Sequence, residues 1–520
     1  MVLDPQPLMR FCHLLVVFFS SLTFAFSQPI IRVTPSGAGD HSGSSWANAL
    51  PGTALAGSIA TATTGTQFWI GAGVYKPTTT TDRTASFSIA SGVSVYGGFW
   101  GTETTFDERT PYADLATLSG DIGVVGYSGD NSTHVVSVIN SAQLITLDRL
   151  TIYGGHRAPY DYSSSGAGLY IESGRNALSI FINNCRFVDN NIEGSLVGGG
   201  AIGAITKNNS QSTIRIRGSY FATNSAESGG AFASVTQSGS AKINLDECLF
   251  SDNSATYGGA VYVDPGSDLL DSLTINNCQF LSNKATILGG AISTASNQCR
   301  IEYSLFRYNS AGGDGGAINA SMSHSTYNNC LFANNIAARG GVIYSKSGDK
   351  ETSLLFTNCN LVSNSAYISG GAFYNLMTDE NIMYANMLRT NHTLLKNCIV
   401  WNNTAPDSPM FKKQTIHLSV GADISNYFYA NYSDLQELTT LTMQGTGNMI
   451  SDPSFINPAS GNYRLLANSP AINTGDPNTL DLLPTDLAGQ PRVQNGRVDM
   501  GAYESTCLPA PCVPISAVRK

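Results

Sequence analysis

One pattern constrains this chain more than any other: Phe-x-x-Asn, then Gly-Gly before a short apolar run, repeated through the middle of the sequence. The aromatic or apolar position falls at Phe187, Phe221, Phe250, Phe280, Phe306, Phe332, Leu361 and Val400. Three residues after each comes Asn190, Asn224, Asn253, Asn283, Asn309, Asn335, Asn364 and Asn403. Gly-Gly pairs follow at 199–200, 229–230, 258–259, 289–290, 315–316, 340–341 and 370–371. The steps drift between 26 and 39 residues. A drifting period of that size signals a solenoid whose insertions lie in loops.

The residues upstream of each Phe indicate the shape of one coil. Two residues before it stands Cys185, Ser219, Cys248, Cys278, Ser304, Cys330, Cys359 or Cys398, on the same strand face. Three residues earlier stands Ile182, Ile216, Leu245, Ile275, Ile301, Tyr327, Phe356 or Leu395. That odd spacing puts both side chains inside only if the chain bends between them. Asn184, Asn277, Asn329, Asn358, Asn397 and Gly218 occupy the bend, and Asn and Gly accept left-handed backbone angles. Each coil is therefore expected to hold a strand, an Asn corner, a second strand, a wider corner and a third strand opened by Gly-Gly. Three short strands per coil make an all-β parallel β-helix with capped ends. Phe is expected to stack on Phe, and Asn on Asn in amide ladders. The Cys column reads as buried, reduced small hydrophobes. Coil spacing of ~4.8 Å would also permit a disulfide between neighbours. Cys507 and Cys512 in the tail suit pairing with each other.

Phe-x-x-Asn with Gly-Gly-Ala-Ile resembles the repeat of chlamydial polymorphic outer membrane proteins, over about residues 180–404. It is also similar to repeats in right-handed, pectin-lyase-like β-helices of exported bacterial proteins, a resemblance that implies a right-handed parallel β-helix here. Segment 452–504, containing "TDLAGQPRVQNGRVDMGAYE", resembles a choice-of-anchor region, and "SWANA" and "YGGFWGTET" extend that likeness to the N-terminal part. Asp486, Arg492, Arg497, Asp499 and Glu504 recur in the resembling families, and closing the last coil is their expected task. Relatives commonly carry an anchoring segment afterwards; the 16 residues after Glu504 hold no apolar run. The resemblance implies a secreted or cell-surface protein, with outer-membrane association among the locations.

The organisation follows. Residues 1–27 read as a secretory signal cut after Ser27: Arg10, a short apolar core, then Ala25 and Ser27. A membrane anchor is the alternative, with a marginal span. Residues 28–155 form a cap and first coils, 156–404 the repeat coils, 405–505 C-terminal coils and 506–520 a tail. A short capping helix is expected from residue 43, begun by Ser44 or Ser45 and interrupted at Pro51-Gly52. Charged residues are only 12% with a net charge of −9, so no basic stripe for nucleic acid exists. The mature chain is expected to be a monomer without a transmembrane segment.

Chemistry is harder to find. The Asn-Thr-Asp, Asp-Asp and Gly-His-Gly segments of polygalacturonase-like hydrolases do not occur. The histidines lack ligand spacing, so no metal centre and no cofactor are expected. Asp314 and Arg339, each just before Gly-Gly in successive coils, should form a cross-coil ion pair. The variable edge after the Gly-Gly strands collects Asp264, Asp268 and Asp271, then Asp349, Lys350 and Glu351, then Asp379, Glu380 and Tyr384. Carboxylates beside an aromatic suit sugar hydroxyls or weakly bound Ca²⁺. Charged loops that only keep a neutral surface soluble explain them as well. The chain thus reads as a structural or adhesive module for an extracellular polysaccharide or cell-surface glycan. The alternative is a polysaccharide lyase with its site on this loop edge.

Overall fold

The computed structural model describes residues 28–112, 115–158, 166–194, 198–266, 271–295, 298–321, 323–347, 351–378, 389–416, 424–437, 445–494 and 496–505. The signal, the tail with Cys507 and Cys512, and Asp268 lie outside these residues.

Coil upon coil, the chain builds long parallel sheets of 14, 12 and 11 strands. Together they form a right-handed parallel β-helix. One coil shows the plan. Ser272–Asn276 lies in the first sheet, and Asn277 turns the corner with φ of 51°. Gln279–Leu281 then lies in the second sheet and Ile292–Thr294 in the third. The wider corner is more ordered than expected. It carries a fourth, five-stranded sheet that includes Ser254–Tyr257, Lys284–Leu288 and Ile336–Arg339.

The core follows the repeat. Phe187 to Phe332 stack in an unbroken column with ring centroids 4.7–5.0 Å apart. Each ring is fully buried, a contribution of about 1.5–3 kcal/mol apiece. Cys185, Cys248, Cys278, Cys299, Cys330, Cys359 and Cys398 are buried free thiols. Two residues after each Phe-type position the backbone is again left-handed, at Asp189, Thr223, Asp252, Ser282, Tyr308, Asn334, Ser363 and Asn402. This second corner carries Thr, Ser and Tyr as well as Asn and Asp, so its residue types do not announce it. It aims the following Asn inward, where the eight asparagines join in a buried ladder.

The Gly-Gly pair answers two separate demands. Gly289 has φ of +65°, and a Cβ on Gly290 would sit 2.1 Å from the carbonyl oxygen of Gly316 in the next coil. The first glycine sets the turn. The second lets stacked backbones meet.

Both ends differ from the sequence reading. Trp46–Asn48 is a single 3₁₀ turn, and the α-helix is Gly52–Thr61, with Pro51 at its N-cap. Proline there begins the helix rather than interrupting it, because the first helical residues need no donor from it. Leu55 and Ile59 bury that helix against the first coils. At the other end, coiling continues to Asp434–Leu435. Met449 adds one more parallel rung beside Asp434, and residues 452–505 then turn back over the outer face of the second sheet. Tyr463, Leu465, Ala471 and Met500 pack there on Leu331, Ala333, Val362 and Ile399 in a second core. Polar contacts join them: Asn360 accepts from the Ala502 amide at 3.0 Å, and Asn397 from the Asp476 amide at 2.7 Å. Arg492 is fully buried, donating to the Glu504 carboxylate at 2.8 Å and to Asn329 at 2.5 Å. Asp486 caps the Ala488 and Gln490 amides, and Arg497 donates to the Gly475 carbonyl at 2.6 Å. These residues fasten a segment alongside the solenoid instead of closing its last coil.

Candidate glycan groove

Strand alternation sends every second residue of the third sheet away from the core. In register from coil to coil, those residues are Tyr262, Ser293, Asn319, Tyr344 and Tyr374. Each stands four residues after the first glycine of its Gly-Gly pair, as in "GGAVY", "GGVIY" and "GGAFY". That spacing was the available sequence signal, and reading the glycines only as corners passed over it.

These residues floor a groove on the outside of the third sheet. The ends of the fourth-sheet strands, with Tyr257 and Leu288, make one wall; Asp264 and Ser321 border the other. A cleft of about 240 Å³ lies between them. Asn319 donates its amide to the Ser293 hydroxyl at 3.0 Å, which fixes both groups. Burial, and then the neighbouring Asp264 carboxylate, push the Tyr262 phenol up to about 12, so it stays a neutral donor. The groove continues past Tyr344 and Tyr374, whose rings stack 5.6 Å apart. Arg339 covers both, 5.4 and 5.3 Å from their centroids. The expected ion pair is present, Arg339 gripping both oxygens of Asp314 at 2.7 and 2.6 Å. With Arg339 partly exposed, such a pair adds little stability, but it holds the guanidinium flat over the tyrosines.

Of the residues singled out on the loop edge, Asp349, Lys350, Asp379, Glu380 and Tyr384 lie outside the described residues. Glu351 is described, and it serves a different neighbourhood. It accepts from the Thr390 hydroxyl and lies 3.4 Å from His392 Nε2, beside the first sheet. His392 in turn stacks on Tyr427 at 5.1 Å. Asp271 is buried rather than on the edge: it accepts from Thr236 at 2.8 Å and from the Ala241 amide at 2.7 Å. Asp264 remains at the groove, accepting from the Gly266 amide at 3.0 Å. Among the described residues no group of three His, Cys, Asp or Glu side chains is placed to hold a metal. No described helix is long and apolar enough to cross a membrane.

Chemically the groove offers neutral hydroxyl and amide groups, the partly exposed Tyr262 and the partly exposed Asp264 carboxylate, whereas Tyr344 and Tyr374 are buried beneath Arg339. Asp314 is already committed to Arg339. Groups of this kind can exchange hydrogen bonds with a hydroxyl-rich ligand.

Comparison with known proteins gives two likenesses. Residues 247–264 and 329–346 match the Chlamydia polymorphic membrane protein repeat. Among solved structures, pectate lyase Pel9A aligns over 92% of this chain and 96% of that chain, at 12% identity and a TM-score of 0.39. No curated protein matches. The chain is a parallel β-helix carrying repeats of the polymorphic membrane protein type.

Proposed function

We propose that the chain is exported and acts at the cell surface, or released from it, as a structural and adhesive β-helix that holds a glycan in the third-sheet groove. One observation carries this reading: Tyr262, Ser293 and Asn319 line up at coil spacing on a rigid sheet, between two walls, with their polar groups neutral. A rigid floor binds an extended chain without the ordering cost that mobile loops incur. The match to a membrane-protein repeat supports the location. In sequence, Asp349, Lys350, Asp379, Glu380 and Tyr384 follow third-sheet strands Ile343–Ser347 and Phe373–Thr378, and the proposal takes them as the rim of the site, leaving out Glu351, which pairs beside the first sheet.

The test is retention of residues 28–520 on immobilised polysaccharides, with and without Ca²⁺. Replacing Tyr262 and Asn319 together with Ala should weaken retention tenfold or more. A control on the exposed small sheet, Tyr367→Ser, should leave it unchanged. Replacing Asp379, Glu380 and Tyr384 together tests the rim. Unaltered retention by the Tyr262/Asn319 double variant would remove the groove from the account.

A further inference from the structure

The seam between the solenoid and its returning C-terminal segment encloses a second cleft, of about 400 Å³. Second-sheet coils supply Trp401, Ser363 and Asn402, and the returning segment supplies Asp452, Phe455 and Tyr463. It lies against the second sheet, whereas the groove lies on the third. We propose that this cleft is a ligand site for a single neutral pyranose.

The geometry supports that class of ligand. Phe455 and Tyr463 meet edge to face, 5.4 Å apart at 88°, and the Tyr463 phenol accepts from Asn334 at 3.2 Å. The aromatic wall is therefore fixed in place. Trp401, in the same lining, is only partly buried, which leaves indole surface for the C–H face of a sugar ring. The polar groups are oriented too. Asn402 donates to the Ser363 hydroxyl at 3.1 Å, so its carbonyl oxygen is the end left to accept. Asp452 accepts the Ser454 amide on Oδ1 at 2.8 Å, which pins the carboxylate at the rim. Ligand pockets run from about 300 to 1,000 Å³, so this cleft suits one ring rather than a chain. A carboxylate at the rim disfavours acidic sugars. The site exists only when both parts are docked, so a ligand here would also hold the C-terminal segment down.

The chain has four tryptophans, so 5-fluorotryptophan labelling gives four ¹⁹F signals, and Trp401→Phe identifies the one that matters. The probes are the methyl glycosides of glucose, galactose, mannose and N-acetylglucosamine, with tetramethylammonium as a cationic control. At least one glycoside should move the Trp401 signal saturably while the other three stay in place. Asp452→Ala with Asn402→Gly, glycine keeping the left-handed turn at 402, should weaken that response tenfold or more while the other three signals stay in place. The Tyr262/Asn319 double variant should leave it intact, so failure of the groove and failure of this site are distinguishable. No response to any glycoside, or a response to tetramethylammonium alone, would overturn the proposal.

Discussion

The side-chain nitrogen of Asn283 donates to the carbonyl oxygen of Asn309 in the next coil at 3.0 Å and to the main-chain carbonyl of Phe250 in the preceding coil at 3.0 Å. The Asn309 oxygen also takes the Asn283 backbone amide at 3.0 Å. The same trio of bonds repeats at neighbouring rungs, for example at Asn253 and Asn335. Every ladder position from Asn190 to Asn403 is buried.

Removing one rung strands several polar groups at once. Asn283→Ala leaves the Phe250 carbonyl and the backbone amide of Asn253 without their partners, at about 1–3 kcal/mol for each buried group. Asn283→Asp should be worse at neutral pH, because a carboxylate would face two oxygens. Urea denaturation followed by circular dichroism should show both midpoints lowered, Asp more than Ala.

Two glycine-to-alanine changes should have opposite signs. In Gly290→Ala the new methyl would meet the Gly316 carbonyl oxygen at 2.1 Å, backbone that cannot swing aside. Gly57 lies inside the helix Gly52–Thr61, and a Cβ there meets nothing within 4 Å. Gly57→Ala should raise stability by about 0.5–1 kcal/mol through helix propensity, while Gly290→Ala should lower expression or the melting temperature sharply.

Stability should fall as pH rises from about 4 to about 7 and level off above neutrality. Asp434 is fully buried on the last coil, and burial lifts its carboxyl to about 7, opposed by one bond from the Ser451 amide at 3.0 Å. The folded state therefore binds a proton that the unfolded state releases near the ordinary aspartate value of 3.8. This contribution is full below that value and is lost as pH rises through about 7. Each unit of difference corresponds to about 1.4 kcal/mol. Asp434→Asn should flatten the decline between acidic and neutral pH in a series of urea titrations.

Much of this architecture was legible in the sequence because it repeats at fixed offsets. Phe, Cys and the two asparagines recur, and stacking makes each repeat corroborate the next. The returning segment has no such echo: Arg492 meets Asn329 across 163 residues, a pairing no periodicity encodes. The fourth sheet was hidden because its strands read as corner. The groove was hidden for a related reason. Outward positions such as Tyr262, Ser293 and Asn319 need not match from coil to coil, so a search for the repeat discards them as noise. Charged loop residues stand out more in the sequence, yet Glu351, the one of those six candidates that is described, pairs beside the first sheet.

The thiols should be inert while the chain is folded. Burial raises Cys185 and Cys299 to about 12 and raises Cys278, Cys359 and Cys398 well above the usual thiol range. Iodoacetamide labelling read by peptide mass spectrometry should leave the column unmodified in buffer and modify it in urea. Labelling of Cys278 or Cys359 under native conditions would contradict the buried column.

The most direct measurement is calorimetric titration of residues 28–520 with acidic and neutral polysaccharides, with reducing ends and the absorbance of unsaturated uronides followed in the same samples. A glycan-holding groove predicts saturable binding to at least one polymer, lost in the Tyr262/Asn319 double variant, with no new ends formed. Absence of binding across the panel, or turnover that survives that double variant, would contradict it.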